Sequence, residues 1–112
     1  MGMITSQDIY NLMGGLISSN KKYTQSGWLS FNAPCCPHVS SSHRPDRLKR
    51  AGVKFSNNGG IGYHCFNCGY STSWKPGLNL PKKFKSLLEW MGLDKSRVDK
   101  LSFDIWVDNK NN

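Results

Sequence analysis

All four cysteines and all three histidines of this 112-residue chain fall between Ala33 and Tyr70, and that crowding constrains the fold more than any other feature. Cys35-Cys36-Pro37-His38 and Cys65-Phe66-Asn67-Cys68 form two brackets, with 26 residues between His38 and Cys65. Two ligands separated by two residues can close on one tetrahedral ion, because a tight turn carries both side chains on its inner side. Gly69 suits such a turn, since glycine takes positive φ without a Cβ clash. Thiolates and neutral imidazole are the ligands zinc prefers, and four of them with no open position make a structural site. Spacing therefore nominates Cys35, His38, Cys65 and Cys68 as ligands of Zn2+, in the layout of a zinc ribbon. Cys36 competes with Cys35, through a bracket from Cys36 to His38, and His43 and His64 are spare donors. His64 adjoins a ligand along a strand and is expected to point to the opposite face.

The competing chemistry is a redox Cys-x-x-Cys, but that motif needs a βαβ setting, and the flanks here are rich in Gly and Asn. Two disulfides in a secreted protein are the other alternative. The N-terminus has neither the basic start nor the apolar run of a signal peptide, and no stretch approaches the ~20 apolar residues of a membrane span. A reducing, cytoplasmic setting without a membrane is the expectation. Met1-Gly2 with Ser6 fits a myristoylation pattern formally, but so short a pattern carries no weight.

The order Cys-x-x-His, a basic loop, then Tyr63-His64-Cys65-Phe66-Asn67-Cys68-Gly69 resembles the zinc-binding domain of bacterial and bacteriophage DNA primases. The resemblance covers roughly Trp28 to Pro76, and its second bracket is the more specific part; the first differs in its doubled cysteine and in Pro37. It implies a module that recognises single-stranded template DNA where a primer is started, alongside replication proteins such as a polymerase or helicase. In a virus the setting would be the host cytoplasm.

Charge points the same way. Of a net +8, the segment from His43 to Lys85 holds nine basic residues and one acid, Asp46, while the remainder is balanced at six and six. A polyanion-binding face needs such concentration. Arg44, Arg47, Lys49, Arg50, Lys54 and Lys75 are the candidate nucleic-acid contacts. Pro45 and the Ser40–Ser42 cluster place the first four on an exposed loop, where neighbouring hydroxyls add hydrogen bonds to phosphate.

The fold expected is small α+β: a zinc ribbon with a three-stranded antiparallel sheet, an N-terminal helix and a C-terminal helical hairpin. Its divisions are 1–20 (amphipathic helix), 27–76 (ribbon), 81–107 (hairpin) and 108–112 (a fraying tail). Thr5-x-x-Asp8 opens the first helix, with Ile9, Leu12, Met13, Leu16 and Ile17 on one face and Gly14-Gly15 weakening it. Its apolar face either packs on its own ribbon or docks on another protein. Residues 18–27 read as a linker. Strands are expected at Trp28–Phe31, Val53–Phe55 and Ile61–Phe66, with a hairpin turn at Asn57-Asn58-Gly59-Gly60. Trp28 is expected to shield the metal or to stack on a base. Tyr63, Phe66, Tyr70 and Trp74 recur near the second bracket, and those outside the core can stack on bases. Residues 71–80 read as a loop. Pro81 to Met91 and Asp94 to Val107 read as the helical hairpin.

A nucleic-acid-binding zinc module is thus the leading reading, and a small adaptor docking on a polymerase or helicase the second. No acidic cluster suits two-metal phosphoryl transfer, so the chain alone is not expected to be an enzyme. A His/Cys metallonuclease using His43 or His64 would need an open metal position.

Overall fold

The computed structural model describes residues 4–17, 21–25, 27–39 and 44–110. The fold is α+β, built on a five-stranded antiparallel sheet in sequential order: β1 (Lys22–Tyr23), β2 (Leu29–Phe31), β3 (Ala51–Phe55), β4 (Ile61–Cys65) and β5 (Ser71–Trp74). Among the described residues four helices accompany it: α1 (Ser6–Leu16), the single turn α2 (Cys36–Val39), α3 (Lys82–Trp90) and α4 (Lys95–Lys110).

The three strands expected from the sequence form the centre of the sheet, and the expected count is corrected by one strand at each edge. β1 lies in the segment read as a linker, and β5 in the segment read as a loop. The register aligns Leu29, Val53, Tyr63 and Thr72 across the sheet, with Phe31, Ala51 and Cys65 one pleat along. Alternation then sends these residues to one face and Ser30, Gly52, Lys54, Gly62, His64, Ser71 and Ser73 to the other.

The first face holds the core. Leu29, Phe31, Val53, Ile61, Tyr63 and Trp74 are buried with Ile9 and Met13 of α1 and with Phe84, Leu87, Leu88, Val98 and Ile105 of the helical hairpin. Thr5 caps α1 in a reciprocal capping box with Asp8, as the spacing predicts. Ser6 Oγ donates to Gly59 O at 2.7 Å and Tyr10 stacks on Phe55 at 4.8 Å, so α1 spends its apolar face on its own sheet. The expected tail is helical as far as Lys110, and Asp108 accepts from the backbone N–H of Ile4 at 2.8 Å. Among the described residues, no helix is long and apolar enough to cross a membrane.

Candidate metal centre and the open face of the sheet

Cys35, Cys36, Cys65 and Cys68 converge so that their sulfurs all lie within 4.8 Å of one another. Cys35 Sγ is 3.2 Å from Cys68 Sγ, and Cys36 Sγ is 3.6 Å from Cys65 Sγ. Sulfurs bound to one zinc at ~2.3 Å stand about 3.8 Å apart in a tetrahedron, so the cluster has the size of a four-thiolate site. The first three cysteines are buried and Cys68 is half-buried.

Of the residues nominated as ligands, Cys35, Cys65 and Cys68 lie in this cluster, and Cys36 stands in it where the spacing had placed His38. Local geometry explains the exchange. The α2 turn begins at Cys36, and His38 N and Val39 N both donate to Cys35 O, at 3.0 and 2.9 Å. Pro37 fits this first turn because its missing N–H would be unpaired there anyway. The turn carries the exposed His38 away from the sulfurs and lays its ring flat on Trp90, 4.8 Å between centroids and 6° from parallel. The doubled cysteine was the signal in the sequence. His64 lies on the opposite face from Cys65, as strand alternation predicts, and His43 falls outside the described residues.

The second bracket is a turn that presents N–H groups to sulfur. Asn67 N and Cys68 N each donate to Cys65 Sγ at 3.4 Å, and Gly69 N closes the turn on Cys65 O at 3.0 Å, with φ of 81°. Asn67 Nδ2 donates to Cys36 Sγ at 3.2 Å, and Tyr63 Oη lies 3.0 Å from Cys35 Sγ. Burial pushes the Cys35 thiol up. It also takes Cys36 up to about 11, against the Asn67 hydrogen bond. At Cys65 burial also acts upward, but the N–H groups of Cys68 and Asn67 outweigh it and bring the thiol below its ordinary value. Four such groups ionise together only around a cation, which supplies the opposing charge at close range. The donor set therefore fits a thiolate-bound metal. Cys36→Ser is expected to abolish stoichiometric metal retention while His38→Ala retains the ion, measured as metal per chain after gel filtration; the reverse result would restore His38 as a ligand.

Asp46 is a site residue that sequence reasoning passed over. Its carboxylate is buried, accepts from Ala33 N at 2.8 Å, Leu48 N at 3.0 Å and Arg50 N at 2.8 Å, and pairs with Arg50 Nε at 2.9 Å. It thus ties the segment before the first bracket to the segment entering β3. Burial alone would raise its pKa, but the Ala33, Leu48 and Arg50 N–H groups and the guanidinium hold it at about 2. Its isolation among cations was the visible clue.

The other face of the sheet is open. Trp28 lies across Gly52, where a Cβ would come within 2.7 Å of the indole, so only glycine permits this approach. Lys54 Nζ sits 5.5 Å from the Trp28 ring centroid, and Phe66 meets both Trp28 and His64 edge-on at 5.8 and 4.5 Å. Trp28, Lys54, Gly62, His64, Ser71 and Ser73 line a shallow cavity of about 580 Å3, and Phe66 lies beside it. Phe66, in the second bracket, is 67% exposed, whereas Tyr63 and Trp74 are core and Tyr70 is half-buried. Of the nominated cations, Arg44, Arg47, Lys49, Lys54 and Lys75 are exposed, while Arg50 is held by Asp46. Comparison with family models, curated proteins and solved structures gives no match to this chain, so the reading of its site rests on its own residues and geometry.

Proposed function

We propose that this chain is a zinc-bound, nucleic-acid-binding module that takes single-stranded DNA across the open face of its sheet, in the manner of the primase zinc-binding domain it resembles. The observation that carries this reading is the open face itself. Trp28, spread over Gly52, lines a shallow cavity with His64 and Lys54, and the exposed Phe66 packs edge-on against Trp28 and His64 beside it. Aromatic faces accept any unpaired base, and neighbouring cations follow the phosphates; a duplex keeps its bases stacked and offers no ring to such a surface. Of the cations behind the chain's excess charge, Lys54 lies on β3, Arg44, Arg47, Lys49 and Arg50 on the segment entering it, Lys75 just after β5, and Lys82, Lys83 and Lys85 on α3.

On this reading zinc fixes the two brackets, and with them Phe66 and the start of β3. Lys54 neutralises phosphate beside the aromatic cluster, and Arg44, Arg47, Lys49 and Lys75 extend the cationic field. Arg50 serves the fold through Asp46 rather than the ligand. The module binds and positions a strand, and catalysis belongs to another polypeptide or another part of a longer one.

The test is binding of short fluorescent oligonucleotides across a salt series. Phe66→Ala is expected to weaken single-stranded DNA binding by ~1–3 kcal/mol per stacked base lost. Lys54→Ala should lower the slope of log K against log salt by about 0.7, the share of one phosphate on a single strand. Equal affinity for duplex and single strand, or indifference to Phe66→Ala, would remove the open face from the account.

A further inference from the structure

α4 carries a second apolar stripe. Val98 and Ile105 face the core, but Phe103 and Trp106, on another side of the helix, are 60% and 46% exposed and stack at 5.9 Å. Leu78, 52% exposed, stands beside Trp106 across a shallow cavity of about 390 Å3 lined also by Gly77, Asn79, Asn109 and Lys110. Asn109 Nδ2 donates to Asn79 Oδ1 at 3.4 Å, which fastens the loop to the helix and fixes the patch. A clustered apolar surface of this kind marks an interaction site, whereas isolated exposed apolar residues need no explanation.

The rim identifies the occupant. Lys110 Nζ lies 4.9 Å from the centroid of the Trp106 ring, and exposed Lys75 precedes Leu78 in a turn closed by Leu78 N donating to Lys75 O at 3.2 Å. The acids of α4 nearest in sequence are engaged: Asp99 with Lys95, Asp104 with Lys100, and Asp108 with the Ile4 N–H. Two copies set face to face would oppose like charges in a chain of net +8. Nucleic acid is the weaker match: the Trp106 ring already meets Phe103 and Lys110, and Leu78 offers no ring to stack on. We propose that this patch docks an amphipathic helix of a partner protein whose apolar stripe is flanked by carboxylates. Phe103, Trp106 and Leu78 act as the apolar anchors, and Lys75 and Lys110 select acidic flanks. Lys75 borders both this surface and the cationic field of the open face, but Leu78, Phe103, Trp106 and Lys110 belong to this surface alone, so their variants test it independently.

The experiment titrates the full, metal-loaded chain with two synthetic helical peptides that share one leucine stripe, flanked by glutamates in one and lysines in the other. Amide shifts are followed by NMR. The glutamate peptide is expected to move residues 75–79 and 103–110. Phe103→Ser with Trp106→Ala should weaken it about tenfold, as should Lys110→Glu alone, which tests charge without touching the helix core. Unchanged metal content and amide dispersion show that the variants fold. Equal binding of both peptides, shifts confined to the open face, or self-association relieved by the Phe103/Trp106 variant would each overturn the proposal.

Discussion

Chelation of the four-cysteine site is expected to unfold the β2–β5 region outright, with loss of the cooperative thermal transition and of amide dispersion, and recovery on adding zinc back. Structural zinc in small peptides contributes on the order of 10–16 kcal/mol of apparent binding free energy. A domain of this size has a total stability of roughly 5–15 kcal/mol. The ion is thus as large as the whole margin. The reason lies in what the sulfurs join: Cys35 and Cys36 sit on the turn after β2, Cys65 ends β4, and Cys68 precedes β5. Without an ion, three buried thiols and the Tyr63 hydroxyl are left to share weak hydrogen bonds. Circular dichroism and differential scanning calorimetry with an excess of a tight chelator make the measurement. A melting curve unchanged after demonstrated metal removal would mean that the core alone sustains the fold.

Asp46→Ala should cost about 1–3 kcal/mol, because three backbone N–H groups lose a buried acceptor while the partly exposed Arg50 guanidinium regains water. The acid dependence has a defined sign. Because the folded-state pKa is depressed to about 2 from 3.8, the stabilisation is fully present above pH ~4 and is lost as pH falls through about 2. It amounts to about 2 kcal/mol. Urea unfolding of the metal-loaded wild type and variant at pH 6 checks the first statement; at pH 3 protonation of the cysteines releases the metal, so the acid limb of Asp46 lies beneath the loss of the four-cysteine site. A difference under ~1 kcal/mol at pH 6 would mean that water replaces the carboxylate at no great loss.

Much of the architecture was legible because strong local rules operate there. α1 announced itself by a capping box and an apolar face, α3 by Pro81 and the spacing of Phe84, Leu87 and Leu88, and the β3–β4 hairpin by Asn57-Asn58-Gly59-Gly60. The edge strands were not legible. β1 has two residues, both exposed, and so carries no alternation. β5 does alternate, with Trp74 inward and Ser71 and Ser73 outward, but three small polar residues resemble a loop until the Trp74 side chain is seen to be core. At the cysteine cluster, the spacing located three of the sulfurs and nominated His38 where Cys36 completes the set. A spacing rule counts residues and does not register that a helical turn begins at Cys36, which keeps adjacent cysteines together and turns His38 outward. Arg50 shows a related limit: its charge is visible in the sequence, whereas its pairing with a buried Asp46 is a tertiary fact.

The hydrogen bond from Ile4 to Asp108 joins residues 104 positions apart in the chain. A polypeptide continuing from either end of the described chain, whether a natural neighbour or a fused reporter, therefore departs from nearly the same point. Closely spaced ends of this kind favour circular permutation and insertion into a host protein. Such a unit can be transplanted whole, with its C-terminal junction emerging beside Trp106 and Lys110.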